Sequence, residues 1–492
     1  MKIEKIFFAE VIMKNKIYIL QDCDVDGLVS SVLAYKYLIH LNVPKDNVVV
    51  LYHEDKRHGL NDDIMGQIKD DCALLWIPDA NASKSKYVEK LNCKIIQTDH
   101  HAITPLDGVI SINNQYSPKI QNKYLSGAGV TYKFIMFCCQ KQNDKFYEEL
   151  RDLVALSNIA DVMDIRNIEN RLYNYVGLSK INNPFLLYLI NNLARGIATP
   201  TSFAWDIIPK LNATIRSSNM ALKENIFNCF VENQDNFEEV TKEIKKERNN
   251  QNKTVQKLLK DCTIEEYNKV VIGKLEESSA YTGLIANKIM SKYNKPTLCI
   301  HENEKGFMGS CRSPVDMKDQ YNNSNLLYFA EGHPASFGIS IPKDNFDDFL
   351  NYIERSVAIE EPCLEICSRY TKNNIPSRLF GYWDKYSTLW GNGLNNPVFY
   401  IVDIQISSKS IQALGRNQTT LKFEINDVEY IMFFATKELK KELHVGENVP
   451  LNISVIGKLG INKWNGNKKK QVIIDKIEVE VYNKEKTWED LF

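Results

Sequence analysis

The feature that most constrains this chain is a series of short apolar runs near its N-terminus, separated by helix-patterned stretches. Ile17–Leu20, Val48–Tyr52, Ala73–Ile77 and Lys94–Gln97 are strand-length, and about Leu28 to Leu41 reads as a helix after the first. Strands alternating with helices predict an α/β fold on a parallel sheet. In such sheets functional groups collect in the crevice at the carboxyl ends of the strands. Three of the four runs lead into acidic or imidazole side chains there: Asp22-Cys23-Asp24-Val25-Asp26-Gly27, then Asp79, then Asp99-His100-His101.

Three carboxylates at alternate positions followed by glycine suggest a calcium loop. That reading fails because Leu33 stands where the loop needs a bidentate glutamate, and because a strand precedes it. A lone Asp at a strand end is more often a helix cap than a ligand. Three such ends in one sheet, joined by Asp161 at the end of an apolar helical segment, point instead to a shared metal site. Carboxylates with an imidazole suit Mg²⁺ or Mn²⁺, histidine favouring Mn²⁺. Crowded carboxylates repel one another unless cations neutralise them. Two metal ions can hold an attacking hydroxide and stabilise a phosphoryl transition state, so the residues alone reach a dinuclear phosphoesterase.

At 492 residues the chain exceeds a single core. From about Phe237 to Lys260 it is polar and highly charged without Gly or Pro, the pattern of a long exposed helix joining two domains. Lys242 to Lys246 read as its solvated face. A second mixed α/β segment runs from about Tyr267 to Ile353. After a loop-like stretch near Glu360 to Ser377, the runs Val398–Ile406, Thr420–Phe423, Glu429–Phe434 and Val472–Val481 predict a small antiparallel β domain. The net charge of −1 excludes a global positive field, so any nucleic-acid contact must come from local basic patches. The 11 cysteines contain no CxxC pair, against a zinc module or disulfide framework and in favour of a reducing cytoplasm. Glu4 and Glu10 interrupt the N-terminal apolar stretch, against a signal peptide, and runs such as Phe185–Ile190 are too short to span a membrane.

Together these motifs resemble the DHH phosphoesterase superfamily, and in particular its RecJ-type single-strand-specific exonucleases, nearly end to end. The acidic motif at Asp22–Gly27 matches the family's first motif, and Asp99-His100-His101 the one that gives the superfamily its name. Leu125-Ser126-Gly127-Ala128-Gly129 is similar to its glycine-rich segment, and Asn158–Val162 with Glu169-Asn170-Arg171 to its fourth motif. Pro209–Ala213 resembles the segment before the interdomain helix. Thr282-Gly283, Gly309–Ser313 and Gly332–Gly338 resemble the DHH-associated domain; Trp390–Phe399 and Asn462–Gly466 resemble the C-terminal OB domain. The resemblance implies a DHH catalytic domain over 1–235, a connecting helix over 236–262, a DHH-associated α/β domain over 263–358 and a β-barrel OB domain over 359–492.

It also implies roles. Asp24, Asp26, Asp79, His100 and Asp161 would ligate two Mn²⁺ or Mg²⁺ ions, with Asp22 as a sixth ligand. Asp99 would orient a histidine, and His101 would face the scissile phosphate. Arg57 would contact a 5′-terminal phosphate, with Arg312 and His333 closing on phosphate from the second domain. Trp464 and Lys468, in a basic hairpin with Asn465-Gly466 at its turn, would meet the strand by stacking and charge. Glu331 replaces a usual glycine before Gly332, and Thr214-Ile215-Arg216 replaces Ala-Gly-Arg; both departures leave the metal ligands intact. The expected activity is 5′→3′ hydrolysis of single-stranded DNA to nucleoside 5′-monophosphates. The enzyme would act as a cytoplasmic monomer in repair, recombination or replication, alongside a helicase or single-strand-binding protein. A phosphodiesterase for short RNA or cyclic dinucleotides and a non-catalytic replication scaffold are the alternatives.

Overall fold

A computed structural model describes residues 7–11, 13, 15–54, 56–82, 85–102, 106–356, 365–372, 374–464 and 467–480. The apolar runs form the expected strands β1 (Lys16–Gln21), β2 (Val48–Tyr52), β3 (Cys72–Pro78) and β4 (Lys94–Asp99). A fifth, β5 (Val109–Asn113), went unread in the sequence. All five are parallel, in the order β2-β1-β3-β4-β5. The chain reverses direction across the sheet between β1 and β3, which opens a crevice at their carboxyl ends. Asp22–Asp26 follow β1 and Asp79 follows β3, one on each side of it.

Helix α1 (Val25–His40) packs against the sheet and is buried along most of its length, because α2 (Gly127–Lys141) and α3 (Arg151–Ala160) cover its other faces. Its N-cap is Asp24, whose carboxylate accepts the Gly27 N–H at 3.1 Å. The core behind the sheet centres on fully buried Trp76, met edge-on by Phe7 and Phe134. Not every buried carboxylate here belongs to chemistry. Asp152 is fully buried and accepts the N–H groups of Leu153, Asn182 and Asn183 at 2.7–2.9 Å, tying α3 to a neighbouring loop.

Helix α4 (Ile208–Ile215) leads toward α5 (Phe237–Asp261), the long charged helix anticipated. Lys242 and Lys246 are spent on Glu238 and Glu243 of the same helix, consistent with a solvated face. The middle domain is a six-stranded sheet of order β10-β11-β9-β8-β7-β6, mixed because β7 (Val271–Leu275) and β8 (Thr297–Asn303) run parallel. Its β6 is Thr263–Glu266, β9 Gly306–Arg312, β10 Phe329–His333 and β11 Ser336–Pro342. Helix α6 (Thr282–Tyr293) packs on β9.

The C-terminal domain differs from the sequence reading in two ways. The stretch read as loop-like near Glu360 to Ser377 contains a strand, β12 (Ile366–Thr371). The seven-stranded sheet is mixed, not antiparallel: β12 runs parallel to β13 (Val398–Ser407), and β16 (Val428–Met432) parallel to β18 (Asn467–Glu480). The remaining strands, β14 (Gln412–Leu414), β15 (Thr420–Ile425) and β17 (Pro450–Trp464), pair antiparallel. Alternation within a strand reports burial of one face and carries no information on the direction of its neighbour. Among the described residues no helix is long and apolar enough to cross a membrane.

Asp152→Ala would leave three buried N–H groups without an acceptor. It is expected to destabilise the protein by about 3 kcal/mol or more in chemical denaturation. A midpoint equal to that of the parent would show that water replaces the carboxylate without cost.

Candidate metal centre

The turn after β1 delivers three carboxylates with three different surroundings. Asp22 is buried; its Oδ2 lies 2.7 Å from His58 Nδ1, and its Oδ1 has no hydrogen-bond partner. Asp24 caps α1 and lies 3.5 Å from Arg216 Nη2. Burial pushes the Asp24 carboxyl up, but Arg216, the Gly27 N–H and nearby imidazoles outweigh it and leave the group below its usual value. Asp26 is held at the N-terminus of α2, accepting Gly127 N–H at 2.7 Å, Ala128 N–H at 2.9 Å and Ser157 Oγ–H at 2.5 Å. Even so, burial together with the Asp161 charge pushes Asp26 up to about 7.

Asp79 sits immediately past β3 at φ +57°, with its N–H bonded to Thr98 O at 2.8 Å. A left-handed backbone at a non-glycine residue at a strand end is a strained position of the kind that clusters at functional sites. Its Oδ1 is buried without a partner. Burial, and then the charges of Asp26, Asp24, Asp22 and Asp161, hold its carboxyl well above the ordinary range. A Cβ on Gly127 would fall 2.2 Å from Asp79 Oδ1, so the glycine-rich segment makes room for this carboxylate. A Cβ on Gly27 would likewise fall 2.5 Å from Asp22 Cβ, which explains the glycine ending the acidic motif.

The two histidines after β4 part company. His100 is buried, with Nε2 3.4 Å from Asp79 Oδ1, 3.5 Å from Asp161 Oδ2 and 4.0 Å from Asp26 Oδ2. Burial keeps it below its usual value, as a neutral ligand requires. His101 is half-exposed and its Nδ1 lies 2.8 Å from Asp99 Oδ1. Burial works against its charge, but the Asp99 hydrogen bond prevails and raises it to about 9. Asp99 also accepts the backbone N–H groups of His100 and His101 and the Gln97 amide, so it orients His101 through the side chain and His100 only through the backbone.

Two donor groups of metal-site dimensions result, Asp22/Asp24/Asp79 and Asp26/His100/Asp161, and Asp79 also groups with His100 and His101. Ligands each about 2.1 Å from one ion lie about 3.0–3.4 Å apart, close to the separations from His100 Nε2 to Asp79 and Asp161. The orphaned oxygens of Asp22, Asp79 and Asp161 lack the hydrogen bonds that buried carboxylates otherwise find. The donor set therefore fits a pair of hard divalent cations. Cys23, His58 and Asp22 also cluster. Cys23 Sγ, however, is 3.5 and 3.6 Å from the two ring nitrogens of His58, so it faces the ring and not a lone pair.

The middle domain supplies the opposite wall. Arg312 ends β9 and His333 ends β10, and both register against Ser336 of β11, at one end of the sheet. His333 Nε2 reaches Asp161 Oδ1 at 3.4 Å, a hydrogen bond that raises the imidazole above its usual value. Arg312 lies over Gly283, where a Cβ would fall 2.6 Å from Nη2, and its Nη1 donates to Cys311 O. Desolvation by the surrounding protein, and then the charges of Arg216 and Arg312, hold Lys56 below its usual value, so these three cations of the two domains feel one another. Arg57 pairs with Asp63. Lys468 is exposed, opposite Lys463 in the β17–β18 hairpin; the turn Asn465-Gly466 and the Trp464 side chain lie outside what the structure describes.

The sequence reading missed His58, Lys56 and the roles of Asn212 and Arg216. Asn212 Oδ1 accepts the Val25 N–H at 3.1 Å, and Arg216 donates to Cys23 O at 3.1 Å, so the end of α4 braces the acidic turn. Their place in the segment that resembles the family's stretch before the interdomain helix was the available signal.

A parallel sheet with this carboxylate–imidazole edge is the frame of a metal-dependent hydrolase. Residues 16–157 match the DHH family, N-terminal domain, and residues 385–476 match the RecJ OB domain. YorK, an SPbeta prophage-derived protein of Bacillus subtilis named as a single-strand DNA-specific exonuclease, is 32% identical over 95% of this chain and 88% of its own length. The single-stranded-DNA-specific exonuclease RecJ of Bacillus subtilis is 25% identical, over 97% of this chain and 64% of its own. The fold matches the structure of RecJ in complex with Mn²⁺ from Thermus thermophilus with a TM-score of 0.75 at 19% identity, over 96% of this chain and 70% of that one. The chain belongs to the RecJ-type single-stranded-DNA-specific exonucleases of the DHH family.

Gly127→Ala should push the Asp79 carboxylate from its place while adding a good helix former to α2. It is expected to lower nuclease turnover at least about a hundredfold, with thermal unfolding near that of the parent. Full turnover in a folded variant would mean that the cradle is dispensable.

Proposed function

We propose that this protein hydrolyses single-stranded DNA from its 5′ end, releasing nucleoside 5′-monophosphates, with Asp22, Asp24, Asp26, Asp79, His100 and Asp161 holding two Mn²⁺ or Mg²⁺ ions. The observation that carries it is the pair of donor groups Asp22/Asp24/Asp79 and Asp26/His100/Asp161, brought together where His100 Nε2 lies 3.4 Å from Asp79 Oδ1. When bound, such ions supply an activated water and charge neutralisation at the phosphorus.

The chain's own residues do the rest. His101, held by Asp99 and kept protonated to about pH 9, has Nε2 free of that bond and offers a proton or hydrogen bond to the scissile phosphate or its leaving oxygen. Arg312, Arg216 and Lys56 bind non-bridging phosphate oxygens, and His333 does so from the second domain. Arg57 takes the 5′-terminal phosphate, which sets the direction. Trp464 and Lys468 hold the strand beyond the cleft by stacking and charge. Because only an unpaired strand is accepted, a helicase or a single-strand-binding protein is the class of partner that would present it. The ten described cysteines are all free, in keeping with a reducing cytoplasm.

With Mn²⁺ present, 5′-labelled single strands should release label as mononucleotide at once, while 3′-labelled strands shorten progressively. Asp79→Ala and His100→Ala should each abolish release. Mononucleotide appearing first from the 3′ end would reverse the polarity, and degradation of cyclic dinucleotides alone would replace the substrate.

The proton on Asp26 gives a second test. A carboxyl raised to about 7 stays protonated below that pH, and a cation must displace the proton. Mn²⁺ affinity should therefore fall at least about tenfold per pH unit as pH drops below about 7, since Asp26, and Asp79 whose carboxyl is also raised, must each give up a proton. Calorimetric titration in buffers of different ionisation enthalpy would count the protons, and a pH-independent affinity would contradict the assignment.

A further inference from the structure

Asp161 is unlike the other candidate ligands. It stands at the C-terminal end of a helix, not at the end of a strand; its carboxylate meets His100 and His333, while its backbone belongs to the turn that follows α3. The residues after it form a turn: Asp161 caps α3 with its N–H on Ser157 O, Val162 takes φ +54°, and Asp164 accepts the Arg166 N–H and guanidinium. Another domain grips this turn. Asn392, between β12 and β13 in the C-terminal domain, donates its side-chain amide to Val162 O at 2.6 Å. Its own carbonyl accepts the Ile165 N–H at 3.0 Å. The contact is therefore reciprocal and spans both ends of the turn.

Both neighbours of Asn392 are glycines for reasons of space. A Cβ on Gly393, at φ +79°, would fall 2.3 Å from Asp164 Oδ1 and 3.0 Å from Arg166 Nε, and a Cβ on Gly391 would fall 3.0 Å from Ile165 Cδ1. Gly391 and Leu394 bridge each other across the turn. The preceding Trp390 packs edge-on against Trp383, 5.3 Å away, and Trp383 against Phe399 of β13, which fastens the turn to the C-terminal core.

We propose that the turn Trp390-Gly391-Asn392-Gly393-Leu394 is a positioning element for the Asp161 carboxylate, so that the metal centre is complete only when the C-terminal domain is docked on the catalytic domain. This rests on the reading of Asp161 as a metal ligand. Asn392 acts through the backbone of Val162 and Ile165. A domain that holds the DNA strand thereby also sets the metal affinity of a centre in another domain. Partners that tether a metal ligand typically contribute about ten- to a hundredfold to metal affinity, lost when they are removed.

The test is Mn²⁺ titration of the full chain without DNA, followed by the spectroscopic signal of free Mn²⁺, for the parent, Asn392→Ala, Gly393→Ala and Asp161→Asn. Asn392→Ala and Gly393→Ala are expected to weaken Mn²⁺ binding by about tenfold or more. Turnover at limiting Mn²⁺ should fall, and excess Mn²⁺ should restore it. Binding of single-stranded DNA in chelator should stay at the parent value. If Asn392→Ala binds Mn²⁺ like the parent while Asp161→Asn does not, the positioning role is overturned and the metal site stands. If Asp161→Asn also binds like the parent, the ligand reading itself fails. Weakened DNA binding with unchanged Mn²⁺ affinity would make the turn a strand-holding element and overturn the proposal. Should Gly393→Ala fail to fold, Asn392→Ala, which changes only an exposed side chain, still decides.

Discussion

Five carboxylates within reach of one another at the edge of a sheet repel strongly, and much of the surrounding structure exists to hold them there. Two like charges about 4 Å apart cost about 4 kcal/mol at the effective dielectric near a protein surface. The chain offsets this residue by residue. Asp26 is placed on the N-terminal N–H groups of α2, Asp24 on the first turn of α1 and beside Arg216, and Asp22 beside His58. Asp79 receives no such partner at Oδ1, and Asp161 none at Oδ2. Asp22 Oδ1 is orphaned as well, so all three leave repulsion for a cation to relieve, and Asp79 and Asp161 are the carboxylates nearest His100.

The same constraint explains which backbone positions are unusual. Gly27 and Gly127 are bare because a Cβ would occupy the space of a carboxyl-bearing side chain. Asp79 takes a left-handed backbone at φ +57°, just past the end of β3. The strain is tolerated because the Thr98 carbonyl fixes its N–H and the helix behind it is almost entirely buried.

The centre is assembled from three domains. The catalytic domain carries the donors, the middle domain brings Arg312 and His333 over them, and the C-terminal domain braces the turn behind Asp161. Arg312 and His333 of the middle domain thus face the carboxylates of the catalytic domain.

Much of this was legible from residue order because it is local. Carboxylates directly after β1, β3 and β4 share one edge in any parallel sheet, so Asp22, Asp24, Asp26, Asp79 and His100 converge whatever the loops do. The long helix was equally plain, since a charged run without Gly or Pro has few other conformations. What depends on contacts distant in sequence was not readable: the pairing of Asp22 with His58, the bracing of the acidic turn by Asn212 and Arg216, and the hold of Asn392 on Val162 across 230 positions. Strand direction in the C-terminal sheet escaped for the same reason, because alternation along β16 or β18 records only which face is buried. Residue order alone determined the chemistry at the sheet edge. The tertiary structure decided how its charges are balanced and which domain grips the turn after Asp161, because those partners meet only when the chain is folded.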